Sequence, residues 1–90
     1  MININDHIFL KKEFIMITAE DRDHIIPLAK CYICKTRKQE HRYNGVGANN
    51  KIFFYTYQIA FVYETNYIYL NYHSEEKRDE VFSELFNNLP

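Results

Sequence analysis

The 90-residue sequence contains only two glycines, two prolines and two cysteines, and it has no tryptophan. Two cysteines cannot build the disulfide framework on which many small secreted domains depend. No apolar run approaches the roughly 20 residues that cross a bilayer. The N-terminus also lacks the basic start and long apolar core of a signal peptide. We therefore expect a cytoplasmic protein, of the cell or of an infected host, without membrane contact.

Charge is nearly balanced but unevenly placed. The formal net charge of −1 argues against a strongly basic protein that coats nucleic acid. Carboxylates gather near the C-terminus, whereas cations gather in the middle of the chain. The central cations are Lys30, Lys35, Arg37, Lys38, Arg42 and Lys51. A local basic surface can therefore exist on this slightly acidic chain.

Aromatic residues make up 17% of the chain and hydrophobic residues 47%. A chain of this length predicts a single domain over residues 1–90, strand-rich over 1–73 and helical over 74–89. Such a domain buries only about 60–65% of the surface that its unfolded chain exposes. Because the large apolar side chains exceed what so small a core can hide, we expect a homo-oligomer.

Two segments indicate a β-hairpin. The first is KIFFYTYQIAFVYE, which starts at Lys51, and the second is NYIYLNYH, which starts at Asn66. Pairing the odd-numbered face of the first strand with Ile68, Leu70 and Tyr72 gathers the large apolar groups inside, and this register requires a two- or four-residue turn. Residues 25–41 fit either a strand or a helix that starts at Pro27. The strand is favoured because the following strand needs a long partner.

The C-terminal segment has the clearest helix signals. Ser74 is a suitable N-cap, and Glu75 and Glu76 follow in the first turn, where the helix dipole favours anions. An apolar stripe at helical spacing consists of Val81, Phe82, Leu85, Phe86 and Leu89. The predicted fold class is α+β: a four- or five-stranded antiparallel sheet, with a barrel-like curl as an option, closed by one C-terminal amphipathic helix.

Both glycines lie in the stretch RYNGVGANNK, which runs from Arg42 to Lys51. Gly45 and Gly47 tolerate positive φ, and the amides of such a turn can point inward as a nest for phosphate oxygens. The alternative is a plain connection between strands, which is favoured because no helix is signalled after Lys51. The candidate ligand-binding residues are Arg37, Lys38, Arg42, Asn44, Gly45, Gly47 and Lys51.

Aromatic side chains are expected on the outer face of the hairpin. The candidate interface or stacking residues are Tyr32, Phe54, Tyr67, Tyr69 and His73. Such rings can stack on bases or on the ring of a nucleotide. They can equally anchor a protein partner, or simply cover a sheet.

Cys31 and Cys34 have the spacing of half a zinc site, but the Tyr-Ile between them makes no turn. On a strand, residues three apart point to opposite faces. We therefore expect two reduced, buried thiols, no metal and no cofactor. No motif fixes a catalytic geometry either, so an enzyme is not predicted.

These features lead to one hypothesis and two alternatives. The leading hypothesis is a small non-enzymatic binding module, of the kind that phages and mobile elements use as accessory proteins. It would inhibit a host protein or sequester a small anionic nucleotide signal. The first alternative is a single-stranded nucleic-acid-binding protein that uses the aromatic sheet face, and the second is a structural subunit.

Overall fold

The structure, a computed structural model, describes residues 2–43 and 51–90. Within these residues, seven strands form two antiparallel sheets. The first sheet contains, in this order, β1 (Ile2–Asn5), β2 (Ile8–Leu10), β3 (Phe14–Ala19) and β4 (Arg22–Pro27). The second contains, also in this order, β5 (Cys31–Tyr43), β6 (Lys51–Tyr63) and β7 (Asn66–Tyr72). The helix α1 spans Glu75–Asn88.

The α+β class with antiparallel pairing and one C-terminal helix is confirmed. The expectation of a single sheet of four or five strands is wrong, and the described residues form no closed barrel. The sequence indicates strands at HIFL and EFIMIT, which correspond to β2 and β3. The strands beyond the predicted number are β1, with four residues, and β4, with six. A strand of four residues is too short to show a convincing alternation of apolar and polar residues, and the turn-like composition of AEDRD covers the start of β4.

Residues 25–41 do not form one continuous element. They comprise the end of β4, a short 3₁₀ helix over Leu28–Lys30, and most of β5. Pro27 ends β4 because it lacks the N–H that a further ladder hydrogen bond needs. The strand prediction is therefore confirmed from Cys31 onwards, and the interruption at Leu28 is where the chain passes from one sheet to the other.

The predicted hairpin register is confirmed. Phe61 pairs with Ile68, Ile59 with Leu70, and Tyr57 with Tyr72. Tyr63 pairs with Asn66, so Glu64 and Thr65 form a two-residue turn. Glu64 has a φ of 55°, as the tight turns of hairpins require. The turn length and the apolar pattern thus specify the same pairing.

The core lies between the two sheets and under the helix. Its most deeply buried side chains come from β2, β3, β6 and α1, and they are Ile8, Ile15, Ile17, Ile59, Phe61 and Leu85. Burying each of these contributes about 1.5–3 kcal/mol relative to leaving it in water. Ile68 and Leu70 of β7 belong to the same cluster. Ile59 and Phe61 on the odd-numbered face of β6 therefore lie in the core, whereas Phe53 and Tyr55 on the same face, farther along the strand, are exposed. The even-numbered face points to the other side of the sheet.

Helix α1 begins as predicted. The Ser74 Oγ accepts a hydrogen bond of 3.0 Å from the Lys77 backbone N–H. Val81 and Leu85 are buried, but Phe86 is 45% exposed and stacks on Phe82 with 4.5 Å between ring centroids. The apolar stripe that contacts the core is thus narrower than the sequence suggested. None of the described helices is long and apolar enough to cross a membrane.

Strands β5 and β6 are much longer than β7. Their pairing runs from Cys31 and Tyr63 to Tyr43 and Lys51, whereas β7 pairs only with Tyr57–Tyr63. Beyond Tyr57, the β5–β6 hairpin continues as a two-stranded ribbon. The ribbon is consistent with the elongated molecule, whose principal extents are 54 × 26 × 20 Å.

Candidate functional site

The outer face of the second sheet carries an aromatic patch, which we call the tyrosine face. Strand alternation and register build it in two rows of directly opposed residues. The first row is Tyr32, Val62 and Tyr67, and the second is Cys34, Ala60 and Tyr69. The three strands therefore each contribute two of the six side chains.

The three tyrosines of this face are well exposed. Tyr32 is 77% exposed, Tyr67 61% and Tyr69 38%. The rings of Tyr67 and Tyr69 are stacked, with centroids 6.3 Å apart and planes 13° apart. Ala60 is almost fully buried between its neighbours. The six positions hold no charged side chain, so the face offers ring surface, a thiol and hydroxyl groups.

Polar side chains bound the tyrosine face on the ribbon side. The Thr36 hydroxyl donates to the Gln58 Oε1 at 3.1 Å, and the Gln58 Nε2 donates to the Asn71 Oδ1 at 2.9 Å. This chain of hydrogen bonds crosses all three strands. Because the groups satisfy one another, the row holds the sheet in register and leaves fewer donors for a ligand.

Farther along the ribbon, Glu40 organises the outer face. Its Oε2 accepts a hydrogen bond of 3.0 Å from the Thr56 hydroxyl. Its Oε1 lies 3.4 Å from the Lys38 Nζ. Lys38 therefore has an anionic partner on its own strand, which reduces its attraction for an external anion.

The helix side of the second sheet holds other cations. The Arg37 guanidinium lies 4.4 Å from the centre of the Tyr55 ring, and the Lys35 Nζ lies 3.5 Å from the Asp79 Oδ1. Arg37 and Lys38 are adjacent in sequence and so lie on opposite faces of β5. The structure thus separates two cations that the sequence suggested might serve one ligand.

The glycine-rich stretch carries most of the predicted ligand-binding residues. Asn44, Gly45 and Gly47, together with the side chains of Arg42 and Lys51, lie outside the described residues. The anion cradle at these residues stays a prediction from the sequence.

Two further predicted aromatic-face residues lie apart from the tyrosine face. Phe54 is opposite Glu40, six positions before Ala60 on the same strand, which corresponds to about 20 Å at the rise of a β-strand. His73 follows the last residue of β7 and is exposed at the start of the connection to α1. Of the predicted group, the structure brings together Tyr32, Tyr67 and Tyr69.

The cysteines differ from expectation. Cys34 is exposed and Cys31 is half-buried, so the prediction of two buried thiols is wrong. The reason is that Cys34 lies on the outer face, which none of the described elements covers. Burial raises the pKa of the Cys31 thiol, and a backbone hydrogen bond with Val62 partly offsets this. Within residues 2–43 and 51–90, no three His, Cys, Asp or Glu side chains form a metal-binding group.

Two structural features had no clear signal in the sequence. One is Arg78, which is 7% exposed although it lies in a highly charged helical segment. The other is an open cavity of about 380 Å³ between β4 and the β6–β7 turn, lined in part by His24, Tyr63 and Asn66. The His24 Nε2 is buried there without a hydrogen-bond partner among the described residues. Both depend on contacts between distant segments, which local patterns do not reveal.

No family model, no curated protein and no solved structure matches this chain.

Proposed function

We propose that this protein is a small non-enzymatic binding module, and that the tyrosine face docks a partner protein. The observation that supports this most directly is the exposure of Tyr32, Tyr67 and Tyr69 on a face without charged side chains. Tyrosine is enriched and charge is depleted in the centre of protein interfaces. A phage or mobile-element accessory protein that blocks a host protein needs no more than such a surface.

The geometry favours a protein over a nucleic acid as the partner. Binding of single strands combines stacking rings with cations that neutralise phosphates. The tyrosine face has the rings but none of the cations. Lys38, which lies on the same side of the sheet, is already paired with Glu40.

Substitutions on this face test the proposal. The double variant Tyr32→Ser/Tyr67→Ser is compared with Tyr55→Ser, which removes a partly exposed ring from the opposite side of the sheet. Partners are captured from a lysate of the source cells, and the affinity of each purified candidate is then measured. Tyrosine hot spots contribute about 2 kcal/mol or more, so the double variant should lose affinity by about 100-fold or more while Tyr55→Ser keeps it.

Two outcomes would contradict docking of a protein on this face. In the first, the captured partner binds the double variant as tightly as the wild type. In the second, the protein binds a fluorescent oligothymidylate with an affinity that falls steeply with salt and is lost in the double variant. The second result would instead support the nucleic-acid alternative, for which the stacked Tyr67 and Tyr69 rings are the favourable observation.

A further inference from the structure

The free edge of β7 has a defined set of unpaired backbone groups. Among the described residues, β7 pairs with β6 and with no other strand. A two-residue hairpin closes on a hydrogen-bonded pair, which here is Tyr63 and Asn66. Because hydrogen-bonded and non-hydrogen-bonded pairs alternate along the ladder, the backbone N–H and C=O groups of Ile68 and Leu70 point toward β6. The N–H and C=O groups of the intervening residues, Tyr67, Tyr69 and Asn71, consequently point to the free edge.

Each of the other sheet edges has a feature that discourages pairing with a further strand. Strand β5 carries Lys35, Arg37 and Lys38. Strand β4 carries Arg22 and Asp23 and ends at a proline. Strand β1 has four residues and an irregular register.

Strand β7 has none of these protective features. Its seven residues, NYIYLNY, include no charge, no proline and no glycine. Its pairing with β6 runs through all seven residues without a bulge. A neutral, regular edge of this length is a ready template for another strand.

The sequence of β7 is also self-complementary around Tyr69. If a second β7 runs antiparallel with Tyr69 opposite Tyr69, Ile68 lies opposite Leu70 and Tyr67 lies opposite Asn71. In this register, each residue whose backbone groups point to the free edge lies opposite another such residue, and each of these pairs exchanges two backbone hydrogen bonds. The register satisfies all the free edge groups of the three residues in both copies. Within the two β7 strands, no charged side chains are brought together.

We propose that two copies of this protein pair through β7 about a twofold axis at Tyr69, which joins their second sheets into one six-stranded sheet. Cavities of about 380 and 470 Å³ lie beside β7, between it and residues of β3 and β4. Both cavities are open, and Glu20, Arg22 and Asp23 are among the residues that line them opposite β7. Because the axis is perpendicular to the joined sheet, the two tyrosine faces lie on the same side of it. This pairing is independent of the proposed docking of a partner protein.

Charge substitutions on the edge test both the pairing and its register. In Tyr67→Lys/Asn71→Lys, each lysine lies opposite a lysine of the other copy, and like charges directly opposite one another destabilise a sheet. Sedimentation velocity at high micromolar concentration should show a dimer for the wild type and a monomer for this variant. Tyr67→Glu/Asn71→Glu should also be monomeric, but an equimolar mixture of the two variants should form the heterodimer. The uncharged control, Tyr67→Thr/Asn71→Thr, should remain a dimer.

A second pair of variants tests the backbone itself. Tyr69→Pro removes the N–H at the twofold axis but no hydrogen bond to β6, whereas Tyr69→Thr removes the same ring and keeps the N–H. The proline variant should be monomeric and the threonine variant dimeric, with circular dichroism confirming that both are folded. A monomeric wild type would overturn the proposal, as would a dimer that persists in the double lysine variant. Mass is the readout throughout, so failure of partner docking would leave this result unaffected.

Discussion

Among the described residues, Arg78 stands out because it is a buried charged side chain. Its Nη1 donates to the Thr36 carbonyl at 2.7 Å, and its Nε donates to the Asp79 Oδ1 at 2.7 Å. The guanidinium also lies 5.4 Å from the centre of the Tyr57 ring. A single side chain thus connects the first turns of α1 to both long strands. The hydrogen bond from Arg78 also holds the pKa of Asp79 below its usual value.

Replacing Arg78 should therefore destabilise the folded protein. We expect Arg78→Ala to lower the free energy of unfolding by about 2–3 kcal/mol, because charge-assisted hydrogen bonds and the packing of the aliphatic stem are both lost. Lys77→Ala, a change at an exposed neighbouring position, should stay within about 0.5 kcal/mol of the wild type. Urea unfolding followed by circular dichroism measures both. Equal stabilities for the two variants would show that the Arg78 contacts contribute nothing.

The two thiols should differ in reactivity. Iodoacetamide reacts with the thiolate, so exposed Cys34 should be alkylated before half-buried Cys31. Because the pKa of Cys31 is raised, its thiolate forms only at higher pH. In a Cys34→Ser variant, the alkylation rate of Cys31 should rise with pH to a midpoint above that of a model thiol peptide. Mass spectrometry of the modified sites would reveal the opposite order if Cys31 were the more reactive.

At the scale of elements, the N-cap of α1 offers a contained test. Ser74→Ala removes the acceptor for the Lys77 N–H and should cost about 1 kcal/mol of stability, whereas Ser74→Asp should retain most of it. Ser83→Ala, at an exposed position in the middle of the same helix, is the matched control. Thermal unfolding of the three variants and the wild type measures these differences in stability. A loss as large in Ser83→Ala as in Ser74→Ala would argue against the cap.

The strands also show which parts of the fold can be predicted from local sequence patterns. The β6–β7 register follows from the sequence because the apolar alternation and a two-residue turn allow one pairing. The division into two sheets does not, because it depends on strands β1 and β4 and on the break after Pro27. Likewise, alternation predicted that Tyr67 and Tyr69 share the outer face, with Tyr32 included if its segment was the partner strand.

Other features of the candidate site could not be predicted. Arg78 looked like part of a solvated helix face, since five of the six residues that flank it between Glu75 and Val81 are charged. Its burial depends on Thr36, which lies far away along the chain. The clustered cations of residues 30–51 suggested one basic surface. In the structure, alternation along β5 places Arg37 and Lys38 on opposite faces. The separation could be predicted only by assigning this segment to a strand instead of a helix.

At the scale of the whole molecule, the two ends of β6 should differ in local stability. Residues 57–63 lie between β5 and β7, whereas residues 52–56 have β5 as their sole described neighbouring strand. A two-stranded ribbon is marginally stable in water. Hydrogen exchange followed by NMR should therefore show amide protection at least about tenfold lower in residues 52–56 than in 57–63. Uniform protection along β6 would indicate that something else supports the ribbon.

The contact between α1 and β1 also bears on how the chain folds. Each strand pairs with the strand that precedes or follows it in sequence, so both sheets can form from local hairpins. The helix, by contrast, must bring the last part of the chain against the first, which makes its docking the step with the greatest loss of chain entropy. During synthesis this step has to wait until α1 has left the ribosome. If docking is late, Leu85→Ala should accelerate unfolding much more than it slows refolding in stopped-flow measurements. A mainly slower refolding would instead place the helix in the folding nucleus.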